Sequence, residues 1–219
     1  MGDGACMWRR LFMSSVKPAR QLLAEPFPKN LLVLDLETTG RDPAVHSTIE
    51  MGAVLLDRRS LEEVKSWSSV IKRQENNGTE SYAMALHGRS LGEIESGLDA
   101  KEAVQEFLKV FGTDYLLTGW NIGFDVQFLR ALLRHTGFID VFDTIDYHRI
   151  DVWSIAQFLK SVGWFQKDVS SLSCLCRQLG LARSETHSAL EDARLAATAL
   201  RGLIAITSKT PAFINSPWT

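Results

Sequence analysis

Residues 30–40 read Asn-Leu-Leu-Val-Leu-Asp-Leu-Glu-Thr-Thr-Gly, an almost continuous apolar run from Leu31 to Leu36 with one carboxylate inside it. A short run of this kind predicts a strand covered on both faces, and such a strand is central to its sheet. Side chains alternate along a strand, so Asp35 and Glu37 leave the same face, about 7 Å apart at roughly 3.4 Å per residue. Two ionised carboxylates held together in a core are costly unless something compensates them, and each pushes the other's pKa up. A divalent cation removes both difficulties. The alternative is a strand that stops at Leu34 and leaves both acids in a solvated loop.

The rest of the composition bounds what such a strand can belong to. With 219 residues, 45% of them hydrophobic and 23% charged, the chain can bury one good core, and one domain is expected. A net charge of −2 excludes a protein that coats nucleic acid through a broad basic surface, while a local grip on a few nucleotides fits. Cys6, Cys174 and Cys176 are too few for a disulfide framework, and Cys174-Leu175-Cys176 lacks zinc-ligand spacing and companions. A reducing, intracellular compartment such as the cytoplasm is expected. No apolar run approaches the roughly 20 residues of a transmembrane helix, so no membrane partner is expected.

Residues 1–28 carry Arg9, Arg10, Lys17 and Arg20 with few acids, and Leu11 to Met13 is too short for a signal-peptide core. Pro18, Pro26 and Pro28 break any long helix. A flexible or loosely docked extension is expected, with an organelle-targeting transit peptide as the alternative. The opening Met-Gly-Asp-Gly-Ala-Cys misses the myristoylation pattern, which needs Ser or Thr where Cys6 stands.

Beyond the first strand, Thr38-Thr39-Gly40 predicts a turn, and a second strand is expected over Thr48 to Asp57. A third, Val64 to Lys72, follows the short Arg58-Arg59-Ser60 connection, so the three should form an antiparallel meander. Glu50 interrupts the apolar pattern, as a salt-bridged or edge position would, the alternative being a residue that serves the site. Asn76-Asn77-Gly78 marks a loop, and Tyr82 to Leu86 a short helix ending at His87-Gly88. Ala103, Val104, Phe107, Leu108 and Phe111 predict an amphipathic helix over Ala100 to Phe111. Tyr115 to Trp120 reads as a strand, followed by a helix to about Arg134 with Gly137 past its end. Tyr147 to Asp151 reads as another strand, and helices are expected over Val152 to Val162 and Ser170 to Leu179, the latter stopped by Gly180.

Two further acids stand out. Asp125 shares a helix face with Leu129 and Leu132, four and seven residues on, which places it on the core-facing stripe. A buried acid needs a partner, although a position near a helix N-terminus also favours a carboxylate. In the last helix, Ser188 followed three residues later by Glu191 forms a capping-box pattern, leaving His187 just before the helix and Asp192 in its first turns. Ala189, Ala193, Ala196, Ala197, Leu200, Leu203 and Ile204 give that helix a small-residue face able to approach a sheet closely. His187 is thereby placed to lean over Asp192 as a mobile base, the alternative being a loop-packing histidine.

Taken together and in order, Asp35-x-Glu37-Thr38-Thr39-Gly40, Asn121-x-Gly123-Phe124-Asp125 and His187-x-x-x-x-Asp192 closely resemble the three motifs of the DnaQ-like 3′–5′ exonucleases, in the branch with four acids and a histidine. The resemblance spans roughly Leu31 to Ile206. It implies an α/β ribonuclease H-like fold: a mixed sheet, antiparallel meander plus parallel strands, flanked by helices on both faces. The expected organisation is an N-terminal extension (1–28), an exonuclease domain (29–207) and a short tail (208–219). By position, the resemblance implies that Asp35, Glu37 and Asp192 bind one divalent ion, Asp35 bridging to a second that Asp125 holds, with His187 as general base. The implied cofactors are two Mg²⁺ or Mn²⁺ ions, suited to hard oxygen ligands. Thr38, Thr39, Gly40, His87 and Phe124 are the implied contacts to the terminal nucleotide, core packing being the alternative for Phe124; Arg41 and Arg89 are candidate phosphate contacts, the alternative being surface arginines with no specific role. Asp151 resembles a recurrent family Asp that caps a helix. The implied partner is a single-stranded DNA or RNA 3′ end, and no motif reports the sugar. The expected protein is a free-standing exonuclease, the alternatives being a proofreading subunit bound to a polymerase or a non-catalytic binding module; dimerisation is left open.

Overall fold

In the computed structural model, residues 23–74, 78–181 and 188–208 are described. The apolar run forms β1 (Leu31–Thr38), which continues past Leu34 and so keeps Asp35 and Glu37 in the sheet. It pairs antiparallel with β2 (Thr48–Leu56), and β2 pairs antiparallel with β3 (Glu63–Val70), which is the expected meander. On its other side β1 pairs in parallel with β4 (Leu116–Gly119), and β4 with β5 (Arg149–Asp151). The order is β3-β2-β1-β4-β5, so β1 is the middle strand of a five-stranded mixed sheet.

The connections supply the helices: α1 (Ser81–His87), α2 (Leu91–Glu95), α3 (Ala100–Phe111), α4 (Ile122–Thr136), α5 (Ile139–Phe142), α6 (Val152–Ser161), α7 (Leu172–Leu179) and α8 (Ala189–Thr207). Their ends follow local chemistry. Asp99, Asp151, Ser171 and Ser188 cap α3, α6, α7 and α8 with side-chain oxygens. Gly137 and Gly180 close α4 and α7 in the left-handed conformation.

Alternation along β1 divides the core into two layers. Leu31 and Val33 face α6, α7 and α8 together with Val54, Leu56 and Leu116. Leu32, Leu34 and Leu36 face α3 and α4 together with Met51, Ala53 and Leu117. Asp35 and Glu37 share the parity of Leu31 and Val33 and therefore point to the α8 side. The predicted alanine face of α8 is the face buried there, with Ala189, Ala193, Ala196, Ala197, Leu200 and Leu203 all enclosed.

Several details depart from the sequence expectations. Helices α2 and α5 were not foreseen; each is too short to show a period. β3 ends at Val70, short of the expected Lys72, since Ile71 leaves it to make a single bridge with Leu98. In the capping box at α8, Ser188 Oγ accepts the Glu191 N–H at 3.3 Å, but the Glu191 carboxylate turns to Arg194 Nη1 at 3.4 Å. Of the expected extension, residues 23–28 lie against the fold: the Phe27 N–H donates to the Arg58 carbonyl at 3.0 Å, and Leu23 and Phe27 pack on the α8-side layer. Asn76 and Asn77 fall outside the described residues.

One contact sets the distance between α8 and the sheet. Gly52 of β2 stands opposite Asp35 in the register, and a Cβ built on it would lie 2.1 Å from the Leu190 nitrogen and 2.2 Å from the Ala189 carbonyl carbon. The first turn of α8 thus rests directly on the strand backbone, where only glycine leaves room. Gly52→Ala is expected to destabilise the fold by about 3 kcal/mol, because the clash is with main chain that cannot swing aside. Urea unfolding of the two proteins measures this.

Candidate active site

The seating of α8 on Gly52 brings Asp192, in its first turn, to the residue that Gly52 pairs with. Asp35, Glu37 and Asp192 each offer a carboxylate oxygen, and these atoms lie within 4.8 Å of one another. The structure brings together the three residues that the resemblance implies as ligands of one ion.

Asp125 arrives from the other layer. The β1–β4 ladder ends at Val33↔Thr118, and beyond it the Leu36 N–H donates to Asp125 Oδ1 at 3.0 Å. The acid predicted for the buried face of α4 is therefore buried, and its partner is the main chain of the residue between Asp35 and Glu37. The start of α4 is in turn held by Asp151, whose Oδ1 accepts the Asn121 N–H at 2.9 Å while capping α6 through the Trp153 N–H at 3.2 Å. Asn121 occupies the left-handed region (φ 56°), a conformation Asn tolerates better than most residues. Asp151 is thus the capping residue that the sequence suggested.

A fifth acid lies behind the cluster. Glu50 is directly opposite Glu37 across the β1–β2 ladder and is buried. Like charges in that position repel. Arg89 compensates, its Nε donating to Glu50 Oε2 at 2.7 Å.

Electrostatics follow from this crowding. Burial pushes the Asp35 carboxyl well above its ordinary range, and the charges of Asp125, Glu37, Asp192 and Glu50 add to the effect. Glu37 is raised to about 7, first by burial, then by Glu50 and Asp192, with Arg89 opposing. Burial also raises Asp125, partly offset by the Leu36 N–H. Such a set is not fully ionised near neutral pH unless a cation joins it, and clustered carboxylate oxygens are the donors that hard divalent ions take. The residues present therefore fit a divalent metal, with Asp35, Glu37 and Asp192 as the group able to hold it.

The implied substrate contacts are placed as follows. Thr38 Oγ1 donates to the Gly40 carbonyl at 2.7 Å. Thr39 Oγ1 donates to the Gly78 carbonyl at 2.8 Å and accepts the Ser47 N–H at 2.9 Å, so its hydroxyl is used within the fold. Gly40 lies beneath the His46 ring, where a Cβ would come within 2.3 Å. Phe124 is half-buried, its ring centroid 4.9 Å from that of Phe128. His87 is the last residue of α1. Arg41 is exposed and stands 3.5 Å from Glu80, whereas Arg89 is turned inward to Glu50. Trp120 packs on the α8-side layer. His187 lies outside the described residues. Sequence reasoning missed Gly52, although a glycine inside an apolar strand signals a close approach, and it missed Arg89 as the partner of Glu50, for which no local signal exists.

Residues 32–200 match the exonuclease family model, RNase_T. The chain belongs to the exonuclease family. The chain is 30% identical over 168 residues to the PolC-type DNA polymerase III of Thermotoga maritima, a match that covers 76% of this chain and 11% of that one. It thus spans about a tenth of the polymerase relatives it matches. It is 27% identical over 183 residues to the oligoribonuclease of Hahella chejuensis, covering 78% of this chain and 91% of that one. Among solved structures, exonuclease I from Methylocaldum szegediense matches with a TM-score of 0.73 at 19% identity, over 83% of this chain and 41% of that one. E. coli exonuclease I in complex with a dT13 oligonucleotide matches with a TM-score of 0.70 at 17% identity, over 79% of this chain and 40% of that one. These likenesses establish the ribonuclease H-like fold. The exonuclease family is divalent-metal dependent, in keeping with the donor set described above.

A carboxyl raised on folding makes the folded state the better proton binder. Glu37, at about 7 against an ordinary 4.5, contributes stability that is complete below its unfolded value and is lost as pH rises through the folded one. In chelator, the melting temperature of the wild type is expected to fall between pH 4.5 and 7 more steeply than that of Glu37→Gln. Mn²⁺ at about 100 times its dissociation constant is expected to stabilise the wild type by about 2.7 kcal/mol, and to do so more strongly at pH 7 than at acid pH. Differential scanning fluorimetry reads both effects. Identical slopes, or no upward shift with Mn²⁺, would contradict the account.

Proposed function

We propose that this chain is a metal-dependent 3′–5′ exonuclease that hydrolyses single-stranded nucleic acid from its 3′ end and releases nucleoside 5′-monophosphates. The observation that carries the reading is the convergence of Asp35, Glu37 and Asp192 within 4.8 Å, in a chain of the exonuclease family. A phosphodiester is already anionic, so attack on it needs charge neutralisation, and divalent cations bound in pairs supply that neutralisation together with the activation of water. Asp35, Glu37 and Asp192 would hold one ion and Asp125 would help to hold a second, and Mg²⁺ and Mn²⁺ suit these oxygen donors. His187, one residue before the cap Ser188 in the sequence, takes the proton of the attacking water. The turn at Thr38 to Gly40, His87 and Phe124 orient the terminal nucleotide. Thr39 acts by shaping that turn, since its hydroxyl is engaged with Gly78 and Ser47.

Stacking and backbone contacts read any base, so sequence preference is slight. The oligoribonuclease relative supports short RNA as one substrate. The similarity to part of a PolC-type polymerase supports a second reading, in which the same chemistry edits the 3′ end of a growing DNA strand beside a polymerase.

The test uses 5′-labelled DNA and RNA oligonucleotides of one sequence, with Mg²⁺, with Mn²⁺ and with chelator. A ladder shortening from the 3′ end is expected with either metal and none in chelator. Asp192→Asn is expected to lose more than the roughly 100-fold that removal of a supporting residue costs at a metal site. RNA cleaved as well as DNA favours the free-standing enzyme, and DNA cleaved only at an unpaired primer end favours the editing reading. No shortening of either strand with either metal would contradict the exonuclease reading.

A further inference from the structure

Glu50 lies outside the acids assigned to the reaction, yet it is buried directly opposite Glu37. A buried carboxylate in that place is sustained only with a partner. The partner comes from outside the sheet, from Arg89 in the connection between α1 and α2. That connection is closely specified. Gly88 takes the left-handed conformation at φ 67°. Ser90 caps α2 in a reciprocal box with Glu93, whose other oxygen stands 3.9 Å from Arg89 Nη1. Ile94 is the buried residue of α2, while Tyr82 of α1 and Leu91 of α2 are exposed. Main-chain bonds tie the two ends of the segment to the sheet, Glu80 N–H to the Thr39 carbonyl at 2.7 Å and Leu98 N–H to the Val70 carbonyl at 2.9 Å, and the Arg89–Glu50 pair ties its middle to the strand beside Glu37. His87, an implied contact to the terminal nucleotide, is two positions away in the chain.

We propose that Arg89 is a positioning residue for the exonuclease reaction: by closing on Glu50 it fixes the His87–Gly88 end of α1 beside the acidic cluster and keeps Glu50 from acting as a further ligand there. This rests on the function proposed above. Arg89 acts through Glu50 and not on the substrate, so its effect depends on Glu50 being present.

The experiment compares wild type, Arg89→Met, Arg89→Lys, Glu50→Gln and the double variant Arg89→Met/Glu50→Gln as full-length proteins. It measures kcat and KM on a single-stranded 3′ end, and the binding of a hydrolysis-resistant phosphorothioate-ended oligonucleotide by fluorescence anisotropy. Arg89→Met is expected to lower kcat/KM about 30-fold, carried mainly by KM, with a matching loss of binding. Arg89→Lys, which keeps one bond to Glu50, is expected to recover part of the loss. The double variant is expected to be no worse than Arg89→Met alone, because two groups acting as a unit are not additive. Losses that multiply in the double variant, or unchanged KM and binding in Arg89→Met, would overturn the proposal. Glu50→Gln keeps the side-chain volume and reads the same anchor should Arg89→Met not fold: a raised KM supports it and an unchanged KM overturns it. A wild type that binds the oligonucleotide without cleaving it counts against the exonuclease reading, while the binding comparison still decides the role of Arg89.

Discussion

Carboxylates crowded at the end of a buried strand repel one another, and the structure around β1 is arranged to hold them in spite of that. Asp35 and Glu37 are fixed by the ladder of the middle strand, Asp192 by a helix seated on the neighbouring strand, and Asp125 by a hydrogen bond to the main chain between the first two. None of these side chains sits on a flexible arm. The burial that raises Asp35 and Glu37, and the repulsion that adds to it, are thus retained, and a divalent cation is the group that relieves them. Preorganised repulsion of this kind is what makes a carboxylate cluster a cation site and not a solvated surface patch.

The fold supplies the rigidity through two features of small size. Gly52 lets the main chain of α8 rest on β2, and the alanines that follow keep the helix close along the sheet. Asp151 ties the start of α4 to the start of α6 through a single carboxylate, so the helix that carries Asp125 begins at a defined place beside β5. Glu50 and Arg89 extend the same logic across the meander, joining the segment after β3 to the strand opposite Glu37.

Much of this was legible in the sequence because it is written in local periods. The two-residue spacing of Asp35 and Glu37 reported a shared face, the four- and seven-residue offsets from Asp125 to Leu129 and Leu132 reported a core-facing acid, and the cap at Ser188 placed Asp192 in the first turn of its helix. The meander was readable from two apolar strands, a third strand pattern after them and a short second connection. What was not legible depends on which elements meet. Gly52 announces that something approaches but not that it is α8, and Arg89 and Glu50 are 39 residues apart with no shared period. The short helices α2 and α5 span too few residues to carry a pattern, and the docking of Phe27 on Arg58 joins an irregular segment to a turn.

The most direct test of the central claim is where a divalent ion binds. Crystals soaked in Mn²⁺ and measured at the manganese absorption edge should give an anomalous peak among the carboxylates of Asp35, Glu37 and Asp192, with a second beside Asp35 and Asp125. A map with no peak among those residues, at Mn²⁺ concentrations that support cleavage, would contradict the account and place the chemistry elsewhere on the chain.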